Sequence, residues 1–257
     1  MNAAGRLTLP ALTLAQGRLL GGRTEFDLRL GTTVTGWADL REVGLSTPRI
    51  GLPLTAVSGR LELAGGEVIA RALRGRLGGD ALRVEGRVRQ DLSHFDLLLD
   101  APDVDLGRTL LATASSALAA RGRAGARLRL AGSPKRFRVA GRASLPYLRG
   151  TSWQWGAGRV ALDVQVQPSL GVEGLWGWAR VEDARLRVRG VDGLVSIERA
   201  DLYPAGERLR IGRLAGALNG DRLAASGQVT GLRRLRSLDL TVNAAALSQA
   251  SWAALAK

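Results

Sequence analysis

Residues 73–82 read LRGRLGGDAL, and residues 214–223 read LAGALNGDRL. The two segments share their outer and central leucines, two glycines and the aspartate. Both continue to a Gly-x-Val and then to a further alternating segment. These later elements are Gly86 to Val88 and Phe95 to Ala101 in the first copy, and Gly227 to Val229 and Leu238 to Ala244 in the second. The shared order of strand, Gly/Asp turn, strand, loop, strand and helix predicts a duplicated unit.

Apolar and polar residues alternate along most of the chain. Strict alternation over five to eight residues is typical of a strand with one apolar face, and Gly, Asp and Asn clusters at about ten-residue spacing suit antiparallel turns. The sequence therefore predicts an all-β fold, an extended and curved antiparallel sheet built of repeats. The candidate lining of its apolar face is Phe26, Leu28, Leu30, Leu61, Leu63, Leu82, Val84, Leu97, Leu99, Leu128, Leu130, Val160, Leu162, Val164, Leu186, Val188, Leu238 and Leu240.

Two segments are helical in composition. Asp105–Arg121 and Ala244–Ala256 are rich in Ala, Leu and Ser, and the first is followed by Gly122, as a helix C-cap would be. We therefore expect one or two short helices. The domain organisation that follows is a first β-repeat half over residues 1–106, a helical connector over 107–122, and a second β-repeat half over 123–257 that ends in a short helix.

The formal charge of +14 comes almost entirely from arginine, since the only lysines are Lys135 and Lys257. Arginines such as Arg127 and Arg129 alternate with apolar residues, which indicates the solvated face of a half-buried strand. We expect no specific nucleic-acid partner; such a face attracts phosphates generally, including anionic lipid head groups. The chain has no cysteine, so we expect no disulfide framework and no thiolate metal site. It shows no signal peptide and no apolar run of about 20 residues, so we expect either a cytoplasmic protein or a piece of a longer one whose export signal and membrane anchor lie outside this chain.

Residues for catalysis or metal binding are sparse. His94 is the only histidine, so neither a catalytic triad nor a histidine metal site can be assembled at the usual spacing. Asp100, Asp103 and Asp105 cluster, but no twelve-residue calcium loop with a closing Glu follows. No glycine-rich phosphate loop is present either. We therefore expect a protein that is not an enzyme and that has no catalytic residues, metal or cofactor.

Four of the six tryptophans lie close together in sequence, as Trp153, Trp155, Trp176 and Trp178. A spacing of two places each pair on one face of its strand. The pattern favours a local core cluster or an apolar lining, and the alternative is an edge at a membrane interface.

An apolar sheet face must be covered, because burial is worth roughly 25 cal/mol per Å². The cover can be a second sheet, closure into a barrel, or curvature around an apolar ligand. A membrane barrel of the porin type needs aromatic girdles, which two tyrosines and three phenylalanines do not supply. The repeats favour a sheet that extends by one unit per repeat.

The segments Leu128–Ser133 and Phe137–Ala143, together with the rhythm of Leu73–Val88, resemble the repeats of the TamB branch of the AsmA-like proteins. The resemblance covers most of residues 50–245. It implies a long, taco-shaped β groove in the periplasm or cell envelope that moves phospholipid toward the outer membrane, and it implies no catalytic residues.

On this hypothesis the chain is a fragment of an envelope protein that shelters or conducts phospholipid acyl chains, with phospholipid and an outer-membrane β-barrel protein as partners. It is close to a membrane through parts that lie outside this chain. Two alternatives stay open. One is a structural β-sandwich or solenoid with a closed core and an Arg-rich, polyanion-binding outer face. The other is an accessory domain of an enzyme with such a face.

Overall fold

The structure, a computed structural model, describes residues 2–9, 12–14, 17–46, 53–105, 121–150, 153–188, 193–231 and 236–255. The chain forms two compact units. Unit 1 comprises Met1–Ser116 and Ala126–Pro134, and unit 2 comprises Ala117–Gly125 and Lys135–Lys257. The predicted helical connector over 107–122 lies outside the described residues except for its last two positions, which are in a strand.

The described residues are almost entirely in strands, and the predicted all-β class is confirmed. In the first part of the chain the strands are β1 (Asn2–Leu9), β2 (Leu12–Leu14), β3 (Gly17–Leu30), β4 (Val34–Ser46), β5 (Leu54–Ala64), β6 (Glu67–Leu77), β7 (Asp80–Arg89), β8 (Phe95–Asp105) and β9 (Arg121–Ser133). They continue with β10 (Arg136–Arg149), β11 (Trp153–Gly156), β12 (Arg159–Val166), β13 (Leu175–Val188), β14 (Val195–Ala205), β15 (Arg208–Leu218), β16 (Asp221–Thr230) and β17 (Ser237–Ala244).

Helical structure is limited to short segments in the described ranges. A 3-10 segment spans Pro168–Gly174, and the α-helix α1 spans Gln249–Leu255. The predicted helix over Ala244–Ala256 is therefore present but begins later, because Ala244 still pairs with Leu223 as the last residue of β17.

Pairing within each unit is antiparallel and follows chain order. In unit 1, β1 and β2 both pair with β3, and each strand from β4 to β8 pairs with the one before it. In unit 2, β10 pairs with β11 and β12, both of which pair with β13, and β14 to β17 follow in sequence. Such a meander is what short turns between alternating segments require.

Two-residue turns connect several of these strands. Gly78-Gly79 and Asn219-Gly220 have positive φ at both positions, with values of 59° and 101° in the first turn and 51° and 95° in the second. Positive φ at both central residues defines the type I′ turn, whose twist matches that of the flanking strands. The glycines and the asparagine are therefore required by backbone geometry.

The two copies recognised in the sequence have the same local structure. β6, β7 and β8 correspond to β15, β16 and β17, and the pairing skips from Ala70 to Leu73 in one copy and from Ile211 to Leu214 in the other. The amide of Gly78 donates to the carbonyl of Pro53 over 3.0 Å, and the amide of Asn219 donates to Leu194 over 3.1 Å. The strand arrangement is thus repeat-like.

The turn aspartate also has the same role in both copies. Asp80 Oδ2 accepts a hydrogen bond of 2.8 Å from the amide of Asp105, at the end of the third strand. Asp221 Oδ2 accepts one of 2.8 Å from the amide of Ser248, just before α1. Each aspartate therefore fixes the chain where it leaves the third strand of its copy.

Irregular pairing recurs at neighbouring positions. In unit 1 the pairing shifts next to Glu42, Ala56 and Ala72, which have φ of 54°, 52° and 52°. In unit 2, Asp183 has φ of 52° and the pairing of β14 shifts between Ile197 and Arg199. A bulge bends its strand and increases the twist, so bulges on adjacent strands bend each sheet along a line.

The core is small for a chain of this length. Among the described residues, the buried hydrophobic side chains are Val57, Ala124, Leu148, Val181, Ala184, Ile197, Ala200 and Leu218. Val181, Ala184, Ile197 and Ala200 form one cluster, and they flank the bulges of β13 and β14. Part of the burial is thus found where the strands bend, and most of the apolar face is only half-buried.

Candidate functional site

The apolar face of unit 1 is built by cross-strand register. Phe26 pairs with Ala38, which pairs with Leu61, and this row continues through Ala70 and Gly86 to Leu97. A parallel row contains Leu28, Gly36, Leu63, Val68, Val88 and Phe95. Leu82, Val84 and Leu99 lie on the same face, because Val84 pairs with both Leu73 and Leu99. We call these rows the unit 1 apolar surface.

Three other predicted residues of unit 1 also alternate with polar neighbours. Leu128 and Leu130 are half-buried and alternate with Arg129, whose guanidinium binds Asp96 on the opposite, charged face. Leu30 pairs with Val34 at the end of β3 and is exposed. All three therefore point to the apolar side, as the sequence predicts.

Unit 2 has an equivalent surface. Val160 pairs with Val181, and the row continues through Ala200, Leu214 and Ala225 to Val242. A second row contains Gly141, Leu162, Ala179, Leu202, Ile211, Gly227 and Leu240. Val164 pairs with Gly177, Leu186 pairs with Val195, and Leu238 pairs with Val229. We call these rows the unit 2 apolar surface; the side chain of Val188 is outside the described residues.

Exposure of this surface increases toward β17. Leu238 and Leu240 retain 58% and 38% of their accessible area, whereas Val160, Leu162 and Val164 are half-buried. None of the predicted lining residues whose side chains are described belongs to the buried core. The structure thus places these residues of each unit on one face.

Large and small residues face each other across the strands. Leu28 pairs with Gly36, Leu97 with Gly86, and Val164 with Gly177. At these glycines an added Cβ would lie 2.0 to 2.2 Å from a carbonyl oxygen of the neighbouring strand. Glycine is therefore required there, because the backbones of adjacent strands approach closely.

The opposite face is charged and carries several ion pairs. Asp96 accepts two hydrogen bonds from Arg129, of 2.8 and 2.7 Å, and Arg138 makes the same two-point contact with Asp163. These guanidinium contacts lower the pKa of Asp96 and of Asp163 below that of an ordinary aspartate. Much of the positive charge on this face is thus compensated locally.

A second cluster on this face involves two arginines. Asp201 accepts from Arg180 over 2.8 Å and from Arg199 over 3.1 Å. The hydrogen bond from Arg180 is the main reason that the pKa of Asp201 is lowered. Such clusters reduce the capacity of the face to bind a polyanion, because each arginine already has a carboxylate partner.

A recess of about 810 Å³ lies on the charged face of unit 1. Its apolar floor includes Ile69 and Leu98, and its charged lining comprises Glu67, Arg71, Glu85, Arg87, Asp96 and Arg129. The three arginines are matched by three carboxylates, so the recess has no excess of either charge.

The tryptophans divide between the two faces. Trp155 pairs with Leu148 and Leu186, packs against the unit 2 core, and donates from Nε1 to the carbonyl of Leu145 over 3.2 Å. Trp176 and Trp178 are exposed and pair with Gln165 and Asp163 on the charged face. The prediction of a core or lining role is correct for Trp155 and wrong for Trp176 and Trp178, since their register puts them on the opposite face.

The remaining candidates for catalysis or metal binding in the sequence are His94 and the aspartates Asp100, Asp103 and Asp105. His94 is exposed just before β8. In the ranges that the structure covers, no three His, Asp, Glu or Cys side chains are grouped to hold a metal. No helix among those residues has the length and apolarity to cross a membrane.

Sequence reasoning missed several residues that shape the site. The bulge at Asp183 and the shift after Ile197 decide which apolar side chains become buried, and neither has a glycine or proline to signal it. The sequence pattern also gives no signal for the contact between Tyr203 and Arg210. Alternation identifies faces, but it does not reveal where a strand gains one residue.

Searches against protein-family models, curated proteins and solved structures found no match to this chain.

Proposed function

We propose that this protein binds phospholipid acyl chains along its apolar surfaces and shelters or conducts them between membranes without chemical change. The observation that carries this proposal is the partial exposure of continuous apolar rows in both units, where few of the described side chains are buried. Monomeric proteins rarely leave such a surface accessible unless it has a binding role.

Binding would depend on desolvation and dispersion. Each methylene that leaves water contributes about 0.8 kcal/mol, so contact along roughly five methylenes offers about 4 kcal/mol. Because the rows contain no hydrogen-bonding side chain at their centre, we expect weak discrimination between acyl chains.

The repeat rhythm supports a relationship to the TamB branch of the AsmA-like proteins. The equivalent turns, bulges and aspartate contacts of the two copies add structural regularity to that rhythm. We include in the proposal an extended, curved groove, a cell-envelope location and an outer-membrane β-barrel partner.

A closed structural domain with a polyanion-binding outer face is the competing function. Its support is the net charge of +14. The ion pairs of Asp96, Asp163 and Asp201 count against it, because they compensate arginines that a polyanion would need.

Photo-crosslinking tests the proposal. p-Benzoylphenylalanine is introduced at Phe26 on the unit 1 apolar surface, and at Asp27 in the same strand but on the charged face. After expression in cells with labelled phospholipid, we expect crosslinks to lipid from position 26 and few from position 27. Mass spectrometry of organic extracts of the purified protein should identify phospholipid.

Equal crosslinking at the two positions, or extracts without lipid, would contradict the proposal. Retention on heparin that is lost at moderate salt, together with a lipid-free preparation, would favour the closed structural domain instead.

A further inference from the structure

Three exposed aromatic residues lie together on the charged face of unit 2. Trp176, Trp178 and Tyr203 retain 37%, 40% and 36% of their accessible area. Trp176 pairs with Ala205 and Ala179 pairs with Leu202, and this register places Tyr203 beside Trp178. We call these three residues the outer aromatic patch.

Contacts hold the tyrosine ring of the patch in place. The guanidinium carbon of Arg210 lies 4.5 Å from the Tyr203 ring centroid. Gly212 is also close, because a Cβ there would lie 2.7 Å from Cε2 of the ring. The ring thus rests against a position that tolerates only glycine without adjustment, and an arginine covers part of it.

Two arginines, Arg208 and Arg210, lie beside the patch. Arg208 pairs with Ala205 and Arg210 with Tyr203 in the β14–β15 register. Among the residues that the structure describes, neither arginine is within ion-pair distance of a carboxylate, and nearby Glu207 binds Arg236 over 3.2 Å. Arg138, Arg180 and Arg199 on the same face are ion-paired. The patch therefore combines aromatic rings with uncompensated positive charge.

We infer that the outer aromatic patch binds the surface of a bilayer that contains anionic phospholipid. Tryptophan and tyrosine favour the head-group level of a membrane, where a ring can be half-desolvated and its polar atom stays hydrated. Uncompensated arginines beside the rings meet the phosphates of the same surface, and the net charge of +14 attracts the chain to it. The patch lies on the face opposite the unit 2 apolar surface, so this inference does not depend on acyl-chain binding.

Vesicle co-sedimentation tests the inference. The whole chain is mixed with vesicles of phosphatidylcholine alone, or with vesicles in which about a third of the lipid is phosphatidylglycerol. We expect binding to the anionic vesicles, weaker binding at higher salt, and a blue shift of tryptophan fluorescence on binding. An arginine near the surface contributes about a fivefold change in affinity, so Arg208→Gln with Arg210→Gln should weaken binding roughly 30-fold.

Matched control variants distinguish the effect of the patch on binding from the effects of net charge and of exposed aromatic residues elsewhere. Arg142→Gln with Arg149→Gln removes the same charge from unit 2 at other exposed positions and should weaken binding less. Trp176→Ala with Trp178→Ala should abolish the blue shift and reduce binding. Tyr147→Ser is the control for these, since Tyr147 is 47% exposed and lies outside the patch. Circular dichroism confirms that each variant is folded.

Equal losses for the two arginine pairs would overturn the inference, as would unchanged binding after loss of both tryptophans. Equal binding to neutral and anionic vesicles, or binding to an acidic polysaccharide and not to vesicles, would also overturn it. Co-purifying lipid is measured separately, so the proposal of acyl-chain binding and the inference of surface binding can be refuted independently.

Discussion

Replacing Gly86 or Gly227 by alanine should destabilise the two units to a similar extent. Both glycines lie within strands with φ of 132° and 149°, a region that is essentially restricted to glycine. An alanine Cβ would lie 2.1 Å from the carbonyl oxygen of Asp96 in the first copy and 2.1 Å from that of Asp239 in the second. No rotamer relieves this contact, because the obstacle is the backbone of the neighbouring strand.

The magnitude follows from two effects. Backbone strain of this kind costs about 1–3 kcal/mol. Displacing the partner strand weakens about two ladder hydrogen bonds at roughly 1 kcal/mol each. We therefore expect a loss of about 3–5 kcal/mol in the free energy of unfolding, a large share of the stability of a typical domain.

Urea unfolding followed by circular dichroism measures the loss, and hydrogen exchange locates it. Gly86→Ala should expose amides of β7 and β8, and Gly227→Ala those of β16 and β17. The control is Gly66→Ala, where φ is 76° and nothing lies within 4 Å of the added carbon, so the loss should be about 1 kcal/mol. A loss for Gly86→Ala no greater than that of the control would refute the reasoning.

Further variants test the remaining contacts. Asp221→Ala should remove hydrogen-exchange protection from α1, because Ser248 and the buried Ser251 lose their acceptor, whereas Asp239→Asn should not. The same hydrogen bonds lower the pKa of Asp221, so its contribution to stability is present above pH about 4 and is lost as the pH falls through the lowered value. Asp201→Asn should lower the urea midpoint more than Asp91→Asn, because Asp201 is largely buried between two arginines and Asp91 is exposed. Trp155→Phe should cost about 1–2 kcal/mol in urea unfolding through the lost hydrogen bond and packing, and Trp178→Phe less than about 0.5 kcal/mol.

The sequence was sufficient to predict the all-β class and the division between faces. Alternation in β12, for example, places Val160, Leu162 and Val164 on one side, and the register confirms it. Turns were predictable where the backbone requires a special residue, as at Asn219-Gly220. These features depend on residues that are close together in the chain, so the sequence alone is enough to predict them.

Features that depend on neighbouring strands were not predictable. The bulges at Ala72 and Asp183 occupy positions with positive φ but have no glycine, since the surrounding pairing holds the strained residue in place. For Trp176 and Trp178 the spacing of two fixes a common face but not which face, so the predicted core or lining role is wrong. The contact from Asp221 to Ser248 joins residues that are distant in sequence, so only the structure reveals that the repeated aspartate has a repeated role.

The paired charges of the outer face have a consequence for folding fidelity. A strand that slips by two residues keeps its leucines and valines on the apolar side, so the hydrophobic pattern alone does not oppose that error. The same slip would separate Arg129 from Asp96 and Arg138 from Asp163. Each charged group would then face an uncharged residue or a residue of the same charge. The exposed ion pairs therefore favour the correct strand register. Each pair is weak, but together they distinguish one strand pairing from the many that a repetitive apolar surface would accept.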